Sequence, residues 1–144
     1  MVSRFSRWAQ QMIRNGENRI ASVEPGDALV FGYRPDRRER KSMPNQDLLP
    51  VLIVTHMYSS RIYGVNINGL PDRRARLAVI DRLRRAGEAG SDRERLRVLY
   101  DLRRLVSGTD SYKTAVVSYR WRNVRTRVAR LETSDLEELT RRIL

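Results

Sequence analysis

No cysteine occurs in the chain, histidine occurs once, at His56, and lysine only at Lys41 and Lys113. The missing cysteines exclude disulfides, thiolate metal sites and cysteine nucleophiles. A lone histidine cannot assemble an imidazole metal site, and a serine nucleophile would have His56 as its only imidazole base. His56 lies on the most apolar stretch and reads as a core or rim residue. No glycine-rich phosphate loop is present, because Gly87 to Gly90 lacks the lysine such a loop needs. Acidic residues are scattered, with no pair in a setting for metal or glycosidic chemistry. Apolar runs are only a few residues long, so no membrane span is expected. The first residues carry no secretory core. Arg4, Arg7 and Arg14, with serines and no acid before Glu17, resemble a transit peptide superficially, but the same segment reads better as a packing helix. No catalytic residue, metal or cofactor is expected, and an enzyme is the minority reading.

What the chain has in excess is arginine. All but two of its 29 basic residues are arginine, against 17 acidic ones, for a net charge of +12. An arginine-rich codon bias accounts for part of this preference but not for the imbalance of sign. Guanidinium forks suit phosphate and carboxylate groups, and a surplus of this size favours a polyanionic partner. The 144 residues fit one domain, with 40% apolar residues to form its core. A domain this long buries roughly 70% of its unfolded surface.

The stretch from Pro25 to Pro71 organises the rest. Three apolar runs separated by turn residues and charges predict a small antiparallel sheet: Asp27 to Arg34, Leu48 to Tyr58, and Ile62 to Asn68. In the first, large Leu29, Phe31 and Tyr33 alternate with small Ala28, Val30 and Gly32, which predicts one packed face and one face lying close under something. Pro50 places the start of the second run at an edge or bulge, and Gly64 marks a close backbone approach or sharp bend in the third. Asn66 and Asn68 share a face and read as structural amides, with phosphate or base contact as the alternative.

Between the first two runs, residues 35–46 hold two prolines with Arg37, Arg38, Arg40 and Lys41. The segment reads as a long exposed loop, either a phosphate-binding segment or a merely solvated charge run. Phe5, Trp8, Ala9, Met12 and Ile13 share one face of a helix within residues 1–20, capped by Ser3 and ended by Asn15-Gly16. It either docks on the sheet, which is preferred, or forms a basic amphipathic arm for a partner surface. Residues 72–108 predict a helical hairpin: Asp72 caps a helix to about Arg85 with Leu77, Ile80 and Leu83 inward. Ser91 and Glu94 then box a second helix with Leu96, Leu99, Leu102 and Val106 inward, stopped by Gly108. Residues 112–123 suit a helix or a strand; Thr126 to Glu132 alternates like a returning strand. Ser134 with Glu137 predicts a capping box for a closing helix. Arg120, Arg122, Arg125, Arg127 and Arg130 surround Trp121, the interleaving a nucleic-acid groove would use; the alternative is a core tryptophan among solvated arginines.

Together these predict an α+β domain: a small antiparallel SH3-like or MazF-like barrel or sheet with an N-terminal helix, an inserted helical hairpin and a C-terminal helix.

The order of short motifs resembles the DNA end-protector family of small tailed-bacteriophage virion proteins. The residues that carry it are Pro25-Gly26, Phe31-Gly32-Tyr33-Arg34-Pro35, Pro44-Asn45-Gln46-Asp47-Leu48-Leu49-Pro50, and Gly64-Val65-Asn66-Ile67-Asn68-Gly69-Leu70-Pro71 with Arg74. The tryptophan helix and the Tyr119 to Arg127 segment are similar to the family's flanks. The chain departs from the pattern in lacking the aromatic after Pro-x-x-Asp, and Asp135-Leu136 stands where an acidic-tryptophan pair is usual. The resemblance implies a non-enzymatic component of a phage particle, in the virion and in the host cytoplasm during assembly. Its partners would be DNA or another polyanion and other virion proteins, without a membrane, and a homo-oligomeric arrangement fits. It implies no particular binding residues. Two other readings stand beside it. One is a MazF-like endoribonuclease, for which Gly26-Asp27 and Pro50 to Thr55 are similar, although Leu49 stands where such enzymes carry an arginine. The other is a purely structural subunit whose arginines meet acidic neighbours.

Overall fold

Strand β1 (Ala28–Val30) pairs antiparallel with β2 (Val51–Met57) on one side and β5 (Ala129–Leu131) on the other. Strand β3 (Arg61–Asn66) pairs with β2 and with β4 (Val116–Arg120), giving the order β4-β3-β2-β1-β5. The computed structural model describes residues 3–16, 23–42 and 49–144. The protein is α+β, as its pattern predicts, with a five-stranded antiparallel sheet and helices.

The predicted strands are trimmed by local chemistry. Regular pairing of the first ends at Val30; Phe31 and Gly32 leave the ladder, and Tyr33 makes an isolated bridge to Val124. Asn66 ends the third strand because its side chain accepts from the Asn68 amide at 3.1 Å and starts a 3-10 turn, Ile67–Gly69. The same carbonyl oxygen accepts from Val51 N, and the Asn66 amide donates to the Tyr119 hydroxyl, so the structural reading of this asparagine holds. Gly64 is required by close approach: a Cβ there would stand 2.0 Å from the Ile53 carbonyl oxygen. Gly26, at φ 98°, makes the turn into β1 that side-chain-bearing residues resist.

Both faces of the sheet are buried, which explains why its strands read as continuous apolar runs. On one face Val30, Val51, Ile53 and Val65 meet the helices; on the other Leu29, Phe31, Tyr33, Leu52, Ile62 and Tyr119 form a second core. The small face of β1 therefore does lie under helices. The first of these, α1 (Arg4–Arg14), is capped by Ser3, whose hydroxyl accepts from Ser6 N at 3.0 Å. It buries Ala9 and Ile13 and packs Phe5, Trp8 and Met12 against the core, so it docks on the domain. It ends at Arg14 with Asn15 as its C-cap, where the Asn15-Gly16 signal predicts its end.

Helices α3 (Arg73–Gly87) and α4 (Asp92–Ser107) form the hairpin inserted between β3 and β4. Asp72 and Ser91 cap them through Ala75 N and Glu94 N. Ile80, Leu83, Leu99, Leu102 and Val106 are buried as the spacing predicts; Leu96 is 46% exposed, because the inward stripe starts at Leu99. The ambiguous segment resolves into a 3-10 turn, Asp110–Ala115, then β4, then a second 3-10 turn, Trp121–Asn123. The closing helix α5 (Thr133–Glu138) starts earlier than the Ser134 box predicts. Glu132 is its cap, with its amide donating to the Asp135 carboxylate, and Glu137 pairs instead with Arg84 of α3. Among the described residues no helix is long and apolar enough to cross a membrane.

Candidate nucleic-acid interface

The basic segment after Pro35 is a helix where it is described, not an open loop. Helix α2 spans Arg37–Ser42. Asp36 accepts from the Glu39 amide at 2.9 Å, Glu39 accepts from the Asp36 amide at 3.3 Å, and the Asp36 carbonyl takes the first helical bond from Arg40 N. This is a reciprocal capping box written Asp-x-x-Glu. Residues 43–48, the remainder of the expected loop, lie outside the described residues.

Glu39 ties the helix to the sheet. Its carboxylate is 8% exposed and accepts from the Tyr33 hydroxyl and from the Asn123 side-chain amide. A carboxylate placed here is tolerable only because it is so fully bonded. Tyr33 completes the link by accepting from Arg120 N at 3.0 Å. Burial, and then the Glu39 bond, push its hydroxyl up to about 12. Beneath, the Tyr33 and Phe31 rings meet Tyr119 edge-on, at 4.7 and 5.6 Å. Asp36 faces outward and gathers two arginines: Arg120 and Arg122 each reach its Oδ2 at 3.2 Å. The Glu39 amide first, and the Arg122 and Arg120 guanidiniums after it, hold the Asp36 carboxyl below its ordinary range.

The two arginine runs marked in the sequence thus converge. Arg37, Arg38, Arg40 and Lys41 are exposed on α2, and the residue that caps α2 is the one that Arg120 and Arg122 grip. Arg125 is exposed nearby in sequence, its backbone bonded to Gly32. Arg127 is not brought to this group; its guanidinium turns to the Arg14 carbonyl at the end of α1. Trp121 is half-buried: it packs on the second core and keeps part of its ring surface exposed.

The turn between β2 and β3 was not anticipated as part of this surface. One open hollow of 480 Å³ is lined by Ser59, Ser60, Arg61, Arg120, Trp121 and Arg122. A second, of 310 Å³, is lined by Tyr58, Ser60, Arg61, Tyr63 and Arg103. They share Ser60 and Arg61. The available signal was an arginine in a tight turn flanked by Tyr58 and Tyr63; its meeting with residues 120–122 is tertiary, through the β3–β4 pairing of Arg61 with Arg120.

A bulge in β2 serves the same region. Val54 pairs with Gly64 but His56 with Tyr63, leaving Thr55 as the extra residue. The bulge turns the half-buried His56 to the side of Val51 and Ile53, where its Nδ1 stands 3.3 Å from Arg103 Nη1 of α4. Arginine has only donors, so Nδ1 is the acceptor and the ring is neutral. Burial, and then the neighbouring Arg103 charge, lower its pKa. Thr55, the hydroxyl a MazF-like nuclease reading would use, is 3% exposed and donates to the Tyr63 carbonyl. Among the described residues no group of three histidine or acidic side chains gathers as for a metal ion.

No protein-family model matches the chain, and no curated protein or solved structure matches it either.

Proposed function

We propose that this chain is a non-enzymatic, arginine-rich structural protein that binds DNA, and that its setting is the particle of a tailed bacteriophage, at DNA ends or in the head–tail assembly. The observation that carries the binding reading is the convergence of α2 and the Arg120–Arg122 segment, 84 residues apart in the chain, through Asp36. Arg37 and Arg38 on this surface make no ion pair among the described residues and are available to phosphate. The phage setting is supported by the motif order from Pro25 to Arg74. We also take the sheet to be a small SH3-like or MazF-like barrel. The support is the Tyr33–Val124 bridge, which ties the continuation of β1 to the chain leaving the edge strand β4.

The test is fluorescence anisotropy with blunt linear duplex and closed circular duplex across a salt series. About six phosphate contacts would cost roughly a thousandfold in affinity between low and moderate salt. A steep slope with preference for linear DNA supports an end-binding role. Absence of binding at low salt would refute the DNA reading and leave acidic protein neighbours as the polyanion.

A further inference from the structure

The surface at the β2–β3 turn has more on it than duplex binding requires. Phosphate contact needs cations; it gains nothing from a large aromatic ring left in water. Yet Tyr58 is 62% exposed at the tip of this turn, its ring meeting Tyr63 edge-on at 5.3 Å. The half-buried Trp121 lines the neighbouring hollow. Arg61 stands between, in the lining of both hollows, oriented by donating one of its five N–H groups to Ser118 Oγ at 3.3 Å. Arg61, shared by both hollows, therefore has an exposed or half-buried aromatic ring in the lining on either side, Tyr58 in one hollow and Trp121, together with Arg122, in the other. That arrangement matches an unstacked strand, whose base faces alternate with phosphates, and not a duplex, whose base faces are hidden in the stack.

We propose that the depression at the β2–β3 turn binds single-stranded nucleic acid, with successive bases stacking on Tyr58 and on Trp121 and the intervening phosphate held by Arg61. This rests on the nucleic-acid reading above and deepens it: the strand taken up is a frayed or single-stranded segment, while the arginines of α2 meet phosphates regardless of strandedness.

The experiment uses the full chain with a labelled oligothymidylate of about 15 nucleotides, within the span of such sites, and a blunt duplex of equal length, at one low salt concentration. Tyr58→Ala, at an exposed position, is expected to weaken oligothymidylate binding about tenfold, the usual effect of losing one base stack. It should leave duplex binding unchanged, and Tyr58→Phe should restore the single-strand affinity. In a Trp8→Phe background, Trp121 fluorescence should be quenched by the oligothymidylate and not by the duplex. If both nucleic acids bind but Tyr58→Ala affects neither and Trp121 is not quenched, the stacking site is refuted while the DNA reading stands. If neither binds, both fail together.

Discussion

Glu39 lies between Arg38 and Arg40 in the chain, yet its carboxylate is turned inward to Tyr33 and Asn123. From the sequence it looks like one acid diluting a run of cations. Its role as the closing residue of a capping box was readable in the Asp-x-x-Glu spacing; its burial was not, because that depends on Asn123, which is 84 residues away. Glu39→Ala would strand a buried phenol hydroxyl and a buried amide, at a cost of about 3 kcal/mol in unfolding free energy. Glu39→Gln, which keeps an acceptor, should cost less, and a chemical denaturation series separates the two. Tyr33 supplies a pH signature of the same network. Its folded pKa is raised from 10.0 to about 12, so the folded chain holds the proton more tightly than the unfolded one. The contribution is complete below pH 10 and is lost between about 10 and 12, at roughly 1.4 kcal/mol per unit. Absorbance titration of the tyrosinates should show a late-titrating group that Tyr33→Phe removes.

At the level of elements, legibility followed periodicity. The helix stripes of α1, α3 and α4 and the sheet's apolar runs were all evident, because 3.6- and 2-residue spacings are local. Helix α2 was missed because two prolines and a charge run mask a six-residue helix held by capping and burial rather than by an apolar stripe. Strand ends were misplaced wherever a side chain competes with the ladder, as Asn66 does. The β2 bulge was invisible because it exists only relative to the partner strand, and it decides which face His56 occupies. That placement has a measurable consequence. The folded state lowers the His56 pKa below the ordinary 6.5, so the unfolded chain takes up this proton first on acidification. The stability from this group is present above pH 6.5 and is lost as pH falls through the lower folded value. Protonation would also set a cation against Arg103 and loosen α4 from the end of β2. Denaturation midpoints should drop between pH 7.5 and pH 5.5, by less in His56→Gln.

For the whole molecule the question is whether +12 acts as a diffuse field or through one face. A diffuse field responds to any four charges removed; a docking face responds only to its own. The structure offers two equal blocks for comparison. Arg37, Arg38, Arg40 and Lys41 are exposed on α2; Arg74, Arg93, Arg97 and Arg104 are exposed on the α3–α4 hairpin. Changing either block to alanine lowers net charge by the same amount, and the α2 block loses one part-buried bond, from the Arg40 side chain to the Pro35 carbonyl at 3.3 Å, so melting temperatures should change little. Each lost duplex phosphate contact should flatten the log–log salt slope by about 0.9. The α2 block is expected to flatten it by about 3 if three of its four cations meet phosphate, and the hairpin block by far less. Equal flattening by both blocks would mean that overall charge, not the surface joined by Asp36, governs binding. The convergence of α2 with Arg120 and Arg122 would then serve to hold α2 on the sheet and not to recognise DNA.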